Sequence, residues 1–509
     1  GNNECLHLTV ALFNYDSKTN SIVSNKKFVI ELSFTSEDQS VSITNGKEIQ
    51  VSEVIINKKY ASQHLVTSDK SIRINGDDCI DYNREYLKIG LANDGIYRIR
   101  TNDLVRYGVN VNQIDPHTFQ LYWKGKEVPV FVFGEDDNQF GTNDFIEFIG
   151  IKNYGGKYRE VNSYNTPYNE YLDRYGDTTV VWLTWGKQNG LRVPSHQIPS
   201  GSFAKTINYY NHLIHYEKNV WFDFSTDQLV RRQLPDWTEN ETWLWMTQSV
   251  GPIDLTFSVS NLVPNKPAKA FLKLQSYVTD INKNAHRVGI SINNDNKIYD
   301  SLSFDRYQQR VIKGEFNSSL LTNGSNKIKS ISFPTTASIN SVFHDWYEIE
   351  YPRSLILNND SLQFKFNDYK TSEAVNYEIS GYQGSPISVY KYEDMLNVSK
   401  ITNFQIQAGR IIFSDILDST KNYFIVAETK ILSPKIYYKK QFRNLRSTSN
   451  SAEYVIITNH LLMNSANEYS VFINQAYNKK VALINVLDIY DEFNYGFFSP
   501  EPIKDFLMT

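Results

Sequence analysis

Two hydrophobic patterns divide this chain. From Leu6 to about Tyr438, apolar and polar positions alternate with the two-residue period of half-buried strands; near the C terminus the apolar positions become continuous. Tyr454-Val455-Ile456-Ile457-Thr458 and Lys480-Val481-Ala482-Leu483-Ile484-Asn485-Val486 read as buried parallel strands, each followed by a helical stretch. The predicted fold class is therefore mainly β. It is a multi-domain array of β-sandwich and jelly-roll units, followed by two βα units.

The expected domains are 1–84, 85–200, 201–354, 355–438 and 451–509. In the first, Leu8–Leu12 and Lys27–Phe34 alternate on either side of the turn-rich Asn14–Asn20, which is a hairpin signature. The second opens on Tyr86–Leu91, turns at Asn93-Asp94-Gly95 where the Asp-Gly step suits positive φ, and returns as Ile96–Ile99. A short helix follows, with Thr101 or Asn102 as cap and Gly108 as terminator. The long alternations Ile253–Val259, Ala270–Leu274 and Val342–Arg353 predict a jelly roll. Ile387–Tyr390 and Tyr423–Ala427 are strands of a smaller β unit, and the polar tract Lys439–Asn450 reads as a linker.

Composition narrows the function classes. With 52 Lys and Arg against 56 Asp and Glu, the net charge of −4 offers no basic field, and no nucleic-acid partner is expected. Aromatic residues make up 14%, as suits wide-faced strands. Two cysteines, Cys5 and Cys79, allow at most one bridge, so no disulfide-stapled scaffold is possible. No apolar run reaches membrane-spanning length, and Gly1-Asn2-Asn3-Glu4-Cys5 is neither a signal peptide nor a start methionine. A processed or trimmed piece is expected.

Several constellations invite a chemical reading. Cys79 follows Asp77 and Asp78, whose charges disfavour a thiolate, so neither Cys79 nor Cys5 is expected to be a nucleophile. His212 and His215 have the spacing of a helical metal pair but lie in a strand-like stretch without a third ligand; His344 and His460 read as packed. Asp136, Asn138, Gly141, Asp144 and Glu147 fall at positions one, three, six, nine and twelve of a calcium loop, although Phe140 spoils position five and the flanks are strands. A polar hairpin loop is the plainer reading. Trp237, Trp243 and Trp245 suit either a sugar-stacking platform or a sandwich core. Asp488, Asp491 and Glu492 follow a buried strand at the end where α/β sites form, and suit either an ion or substrate mouth or the fixing of a loop and the capping of the next helix. No catalytic, cofactor-binding or metal residue is assigned.

Three segments carry a family resemblance. They are Asp94-Gly95-Ile96-Tyr97-Arg98-Ile99 with Asp103-Leu104, Gly108, Val128-Pro129-Val130 and Gly134–Asp137; Asp345–Arg353; and Asp488–Gly496 with Ser499-Pro500-Glu501. Together they resemble the gingipain-like cysteine peptidases and their PorU-type cell-surface relatives in the type IX secretion system of Bacteroidota. The resemblance implies a propeptide-like N-terminal β unit, intervening β domains and the first two βα units of a caspase-like α/β domain. The catalytic His and Cys are implied to lie after later strands, so neither is assigned here. It further implies a place on the extracellular face of the outer membrane, with an outer-membrane β-barrel or other secretion component, secreted cargo or surface glycan as partner. A dedicated binding or assembly subunit is the alternative. Pro502 departs from the family pattern, but the first helical turn tolerates it.

Overall fold

A computed structural model describes residues 13–16, 21–24, 80–155, 171–173, 175–197, 199, 203, 205–222, 243–276, 284–304, 309–366 and 373–509. Two compact units result, Gly1–Asp77 and Asp78–Thr509. In the first, Phe13–Asp16 pairs antiparallel with Ser21–Ser24. The strands expected at Leu8–Leu12 and Lys27–Phe34, and both cysteines, lie outside the described residues.

The second unit begins with β1 (Tyr86–Leu91), β2 (Gly95–Arg100), α1 (Thr101–Arg106), β3 (Gln120–Trp123), β4 (Lys126–Val128), β5 (Phe131–Phe133), β6 (Phe145–Gly150) and β7 (Thr179–Thr184). Leu87, Ile89 and Leu91 alternate onto one face of β1 and pack with Leu121, Val181, Ile146 and Phe148 in a common core. The Asp94-Gly95 turn needs its glycine for space rather than for positive φ, because a Cβ there would stand 2.7 Å from Leu432 Cδ1. Neither Thr101 nor Asn102 caps α1; the Asp103 carboxylate accepts from the Arg100 amide, 2.9 Å. Gly108 does end the helix with φ +74°.

The jelly roll is a pair of antiparallel sheets built from β8 (Tyr209–Glu217), β9 (Gly251–Val259), β10 (Pro267–Ser276), β11 (His286–Ile292), β12 (Asp300–Phe304), β13 (Gln309–Asn317), β14 (Gly324–Ser332) and β15 (Val342–Ser354). One sheet runs β8-β15-β10-β13 and the other β9-β14-β11-β12, with Leu272, Ile290, Ile312, Ile328 and Ile349 between them. A smaller sandwich follows: β16 (Ser361–Lys365), β17 (Ala374–Ile379), β18 (Ile387–Tyr392), β19 (Val398–Ile401), β20 (Gln405–Gln407), β21 (Arg410–Ile416) and β22 (Asn422–Ala427). Ser195–His196 and Thr206–Ile207 add to its two sheets as parallel edge strands.

Next, β23 (Lys435–Lys440) crosses back over the molecule and pairs antiparallel with β1, Tyr86 opposite Lys440. The first sheet thereby reads β23-β1-β7-β3-β4. The tract expected as a linker from Lys439 thus opens as strand. Beyond it lie β24 (Tyr454–Thr458), α2 (Met463–Tyr477), β25 (Val481–Asn485), α3 (Val486–Phe493) and α4 (Glu501–Leu507), with β24 and β25 parallel. The chain is mainly β, a multi-domain sandwich and jelly-roll array followed by two βα units. Among the described residues no helix is long and apolar enough to cross a membrane.

One polar network ties the first sheets to the smaller sandwich. Arg98 on β2 lies opposite Glu147 on β6 and donates to it from Nε (3.1 Å) and Nη2 (2.7 Å). Tyr390 on β18 donates to the same carboxylate, and Glu428 also accepts from Arg98. Arg98 is 5% exposed and Glu147 1%, so this ion pair is sealed.

Candidate functional site

The three C-terminal carboxylates converge on the outer face of the first sheet. Alternation along β1 that sends Leu87 and Ile89 into the core sends Lys88 the other way, in register with Trp182 of β7 and Tyr438 of β23. The three side chains form a row across adjacent strands, and Lys88 Nζ lies 5.7 Å from the Trp182 ring and 5.6 Å from the Tyr438 ring. Tyr86, Val180, Trp182 and Phe442 bury the same face with Phe497. A lysine there is only 7% exposed and requires a counter-charge.

Helix α3 supplies it. The residues 488–496, which the sequence presents as a loop after the second strand, are mostly this helix: Val486, Leu487, Ile489, Tyr490 and Phe493 repeat at helical spacing, and Asn485 accepts from the Leu487 amide at the start. The turn of α3 toward the sheet buries Ile489, Tyr490, Asp491 and Glu492. Asp491 Oδ1 accepts from Lys88 Nζ at 2.6 Å; Oδ2 accepts from Lys440 Nζ and Tyr438 OH, both 2.8 Å. Asp488 accepts from the same Lys440 at 2.6 Å. Burial pulls the Lys440 pKa down, but Asp491 and Asp488 outweigh it and hold the ammonium above its ordinary value. Burial and then Asp491 push the Tyr438 phenol upward, so it stays a donor.

Glu492 secures the chain leading into the α/β segment. Its oxygens accept from the amides of Arg443 (2.9 Å) and Leu445 (2.6 Å), and burial still raises its pKa above the ordinary carboxyl value. Arg446 donates to the Glu492 carbonyl at 3.1 Å and lies 4.0 Å over the Phe493 ring. After the helix, Trp182 Nε1 donates to Tyr495 O at 2.9 Å. Gly496 follows at φ +91°, where a Cβ would stand 2.9 Å from both Lys88 Cε and Val180 Cγ1. Gly496→Ala combines positive φ with this clash and is expected to cost about 1–3 kcal/mol, read as a lower urea midpoint at unchanged slope.

Every carboxylate oxygen of Asp491 and Glu492 therefore meets a lysine, a tyrosine or a backbone amide, an arrangement that fixes position. Sequence reasoning misses Lys88 and Lys440. Within their strands they look like ordinary outward polar residues.

The other expected sites are dispersed. Glu147 is turned inward to Arg98, and Asp144 accepts from the Gly141 amide at 2.6 Å, so the loop at 136–147 does not gather its oxygens about one point. His212 and His215 stand three apart on strand β8, hence on opposite faces; Arg353 meets His212 at 3.2 Å, whereas His215 contacts Glu217 and Glu348. His344 is fully packed and shares a hydrogen bond with Gln248 at 2.6 Å. His460 instead opens an exposed 3-10 turn, contrary to the packed position expected. Trp245 stacks on Tyr347 at 5.4 Å beside the jelly-roll core; Trp243 remains half exposed in a separate two-residue ladder, and Trp237 lies outside the described residues. Ser499 makes no cap for α4, whose first turn takes Pro502 and buries it.

Comparison with known proteins bears on both parts of the molecule. Residues 447–509 match the model of peptidase family C25. No curated protein matches the sequence. The crystal structure of dimeric latent PorU from Porphyromonas gingivalis superposes at TM-score 0.61 with 13% identity, covering 86% of this chain and 41% of that one. A β-porphyranase of glycoside hydrolase family 86 from the human gut bacterium Bacteroides plebeius matches at TM-score 0.17 and 11% identity, over 53% of this chain and 35% of its own. An infectious bursal disease virus structure, Gx strain, also scores 0.17, with 10% identity over 78% and 87% of the two chains. Values that low carry no structural argument. The chain is PorU-like in fold, and its residues 447–509 carry the pattern of the gingipain-type peptidase family C25.

Proposed function

We propose that this chain is a non-catalytic N-terminal portion of a gingipain-like, PorU-type surface cysteine peptidase or transpeptidase of the type IX secretion pathway. Its role is to seat and orient the peptidase domain. The observation that carries this reading is Asp491, held by Lys88, Lys440 and Tyr438, which seats the first βα units on a sheet shared by the early strand β1 and the late strand β23. In this reading the domains follow 1–84, 85–200, 201–354, 355–438 and 451–509. The protein works at the cell surface against an outer-membrane β-barrel, another secretion component or secreted cargo.

The bond-breaking Cys and His belong to parts of the parent that these residues support. Among the described residues β24 and β25 pair only with each other, and further strands of the peptidase fold would extend that sheet. The chain itself is expected to turn over no fluorogenic peptide. Robust turnover abolished by iodoacetamide would overturn the reading.

A second reading is favoured by a different surface. Tyr454, Tyr469, Phe472 and Tyr477 form a chain of ring contacts of 6.1–6.4 Å, all of them more than a third exposed. Aromatic clusters of this kind are typical interface anchors, which suits an assembly subunit that grips a partner with α2.

A further inference from the structure

His215 on β8 is bracketed by two carboxylates. Its Nδ1 lies 2.8 Å from Glu348 Oε1 and its Nε2 lies 2.9 Å from Glu217 Oε2. Both ring nitrogens must therefore donate at once, which only the imidazolium does; a neutral ring would point a lone pair at one carboxylate. The side chains of His215 and Glu217 are 5% and 3% exposed.

The flat face of the ring is covered from elsewhere in the molecule. Tyr171 stacks on His215 with centroids 3.9 Å apart and an interplanar angle of 18°. Tyr154 meets Tyr171 edge-on at 5.1 Å and donates to Asp94, 2.8 Å away, in the turn between β1 and β2. Lys152 lies over both tyrosine rings at 4.4–4.7 Å. Trp346 of β15 flanks the imidazole at 5.6 Å. A continuous series of contacts thus runs from Asp94 through Tyr154 and Tyr171 to His215. It joins the first β unit to the jelly roll.

We propose that His215 is a pH-dependent clasp between these two parts of the chain: its imidazolium, gripped by Glu217 and Glu348, holds Tyr171 by cation–π stacking, and its discharge releases Tyr171. The charged and titratable groups that face it among the described residues are Glu217 of β8, Glu348 of β15, Tyr171 and, behind Tyr171, Lys152, Tyr154 and Asp94. The geometry accounts for the direction of titration: burial lowers the His215 pKa, but the hydrogen bonds it donates to both glutamates raise it above the ordinary 6.5. A raised histidine pKa stabilises the clasp fully below the unfolded value. That stabilisation disappears as pH rises through the folded value.

The test uses the whole chain with selectively labelled histidine. The His215 ring resonance should titrate above the ordinary histidine midpoint, and Glu348→Gln should move that midpoint down. In small-angle scattering across the same pH range, the native radius of gyration should increase as the imidazolium discharges. His215→Gln should hold the discharged value at every pH. A midpoint at or below the ordinary value, or superimposable scattering of the native and His215→Gln proteins across the range, would overturn the proposal.

Discussion

Asp491→Ala is expected to destabilise the folded chain by about 3–5 kcal/mol, because it leaves the buried Lys88 without a carboxylate and Lys440 with Asp488 alone. Lys88 is 7% exposed and the Asp491 side chain is fully buried, so solvent cannot take over the lost counter-charge. Tyr438 loses its acceptor as well. The effect should be local before it is global: residues 447–509 should be cut from the variant by low protease at denaturant concentrations where the rest resists. Asp491→Asn keeps the shape and two hydrogen-bonding atoms, and should lie between the native protein and the alanine variant. If Asp491→Ala unfolds at the native urea midpoint and its C-terminal segment stays protected, the carboxylate does not seat that segment.

A loss of similar size, about 3–5 kcal/mol, is expected for Arg98→Ala. Glu147 then stays buried with a tyrosine hydroxyl and with Lys400, whose Nζ is 3.9 Å away and therefore no close replacement. Glu428, on the other side of Arg98, is nearly half exposed and should matter much less. Replacing both Arg98 and Glu147 by methionine should recover much of the loss, since a buried ion pair contributes little beyond a well-packed apolar pair. Equilibrium unfolding of the single and double variants measures both, and equal midpoints for native protein and Arg98→Ala would reject the network as an anchor.

The local elements are legible because their signals are local. Alternation marks Tyr86–Leu91 and Ile253–Val259, and continuous apolar runs mark Tyr454–Thr458 and Val481–Asn485. The second run, read as Lys480–Val486, overreaches by one residue at each end, and the helix that starts at Val486 reads as a loop. Its Val486, Leu487, Ile489, Tyr490 and Phe493 spacing is helical, but the acidic residues between them obscure it. The platform is not legible at all. That Lys435–Lys440 belongs beside β1 depends on pairing between distant strands, which no periodicity encodes. Lys88 and Lys440 acquire their role only when that pairing places them under Asp491. The acidic cluster itself is visible; its carboxylates meet Lys88, Lys440, Tyr438 and the amides of Arg443 and Leu445, and none of them makes the cap of α4 that the sequence also suggested.

The strand Lys435–Lys440 also dictates an order of completion. A polypeptide made or exported from its N terminus presents β1 long before β23 exists, so one border of the first sheet stays bare until the jelly roll and the smaller sandwich have emerged. Closing so large a loop is slow, and the seat for α3 is unfinished until it closes, because Tyr438 and Lys440 ride on the late strand. Residues 447–509 therefore acquire their foundation only after β23 has closed onto β1.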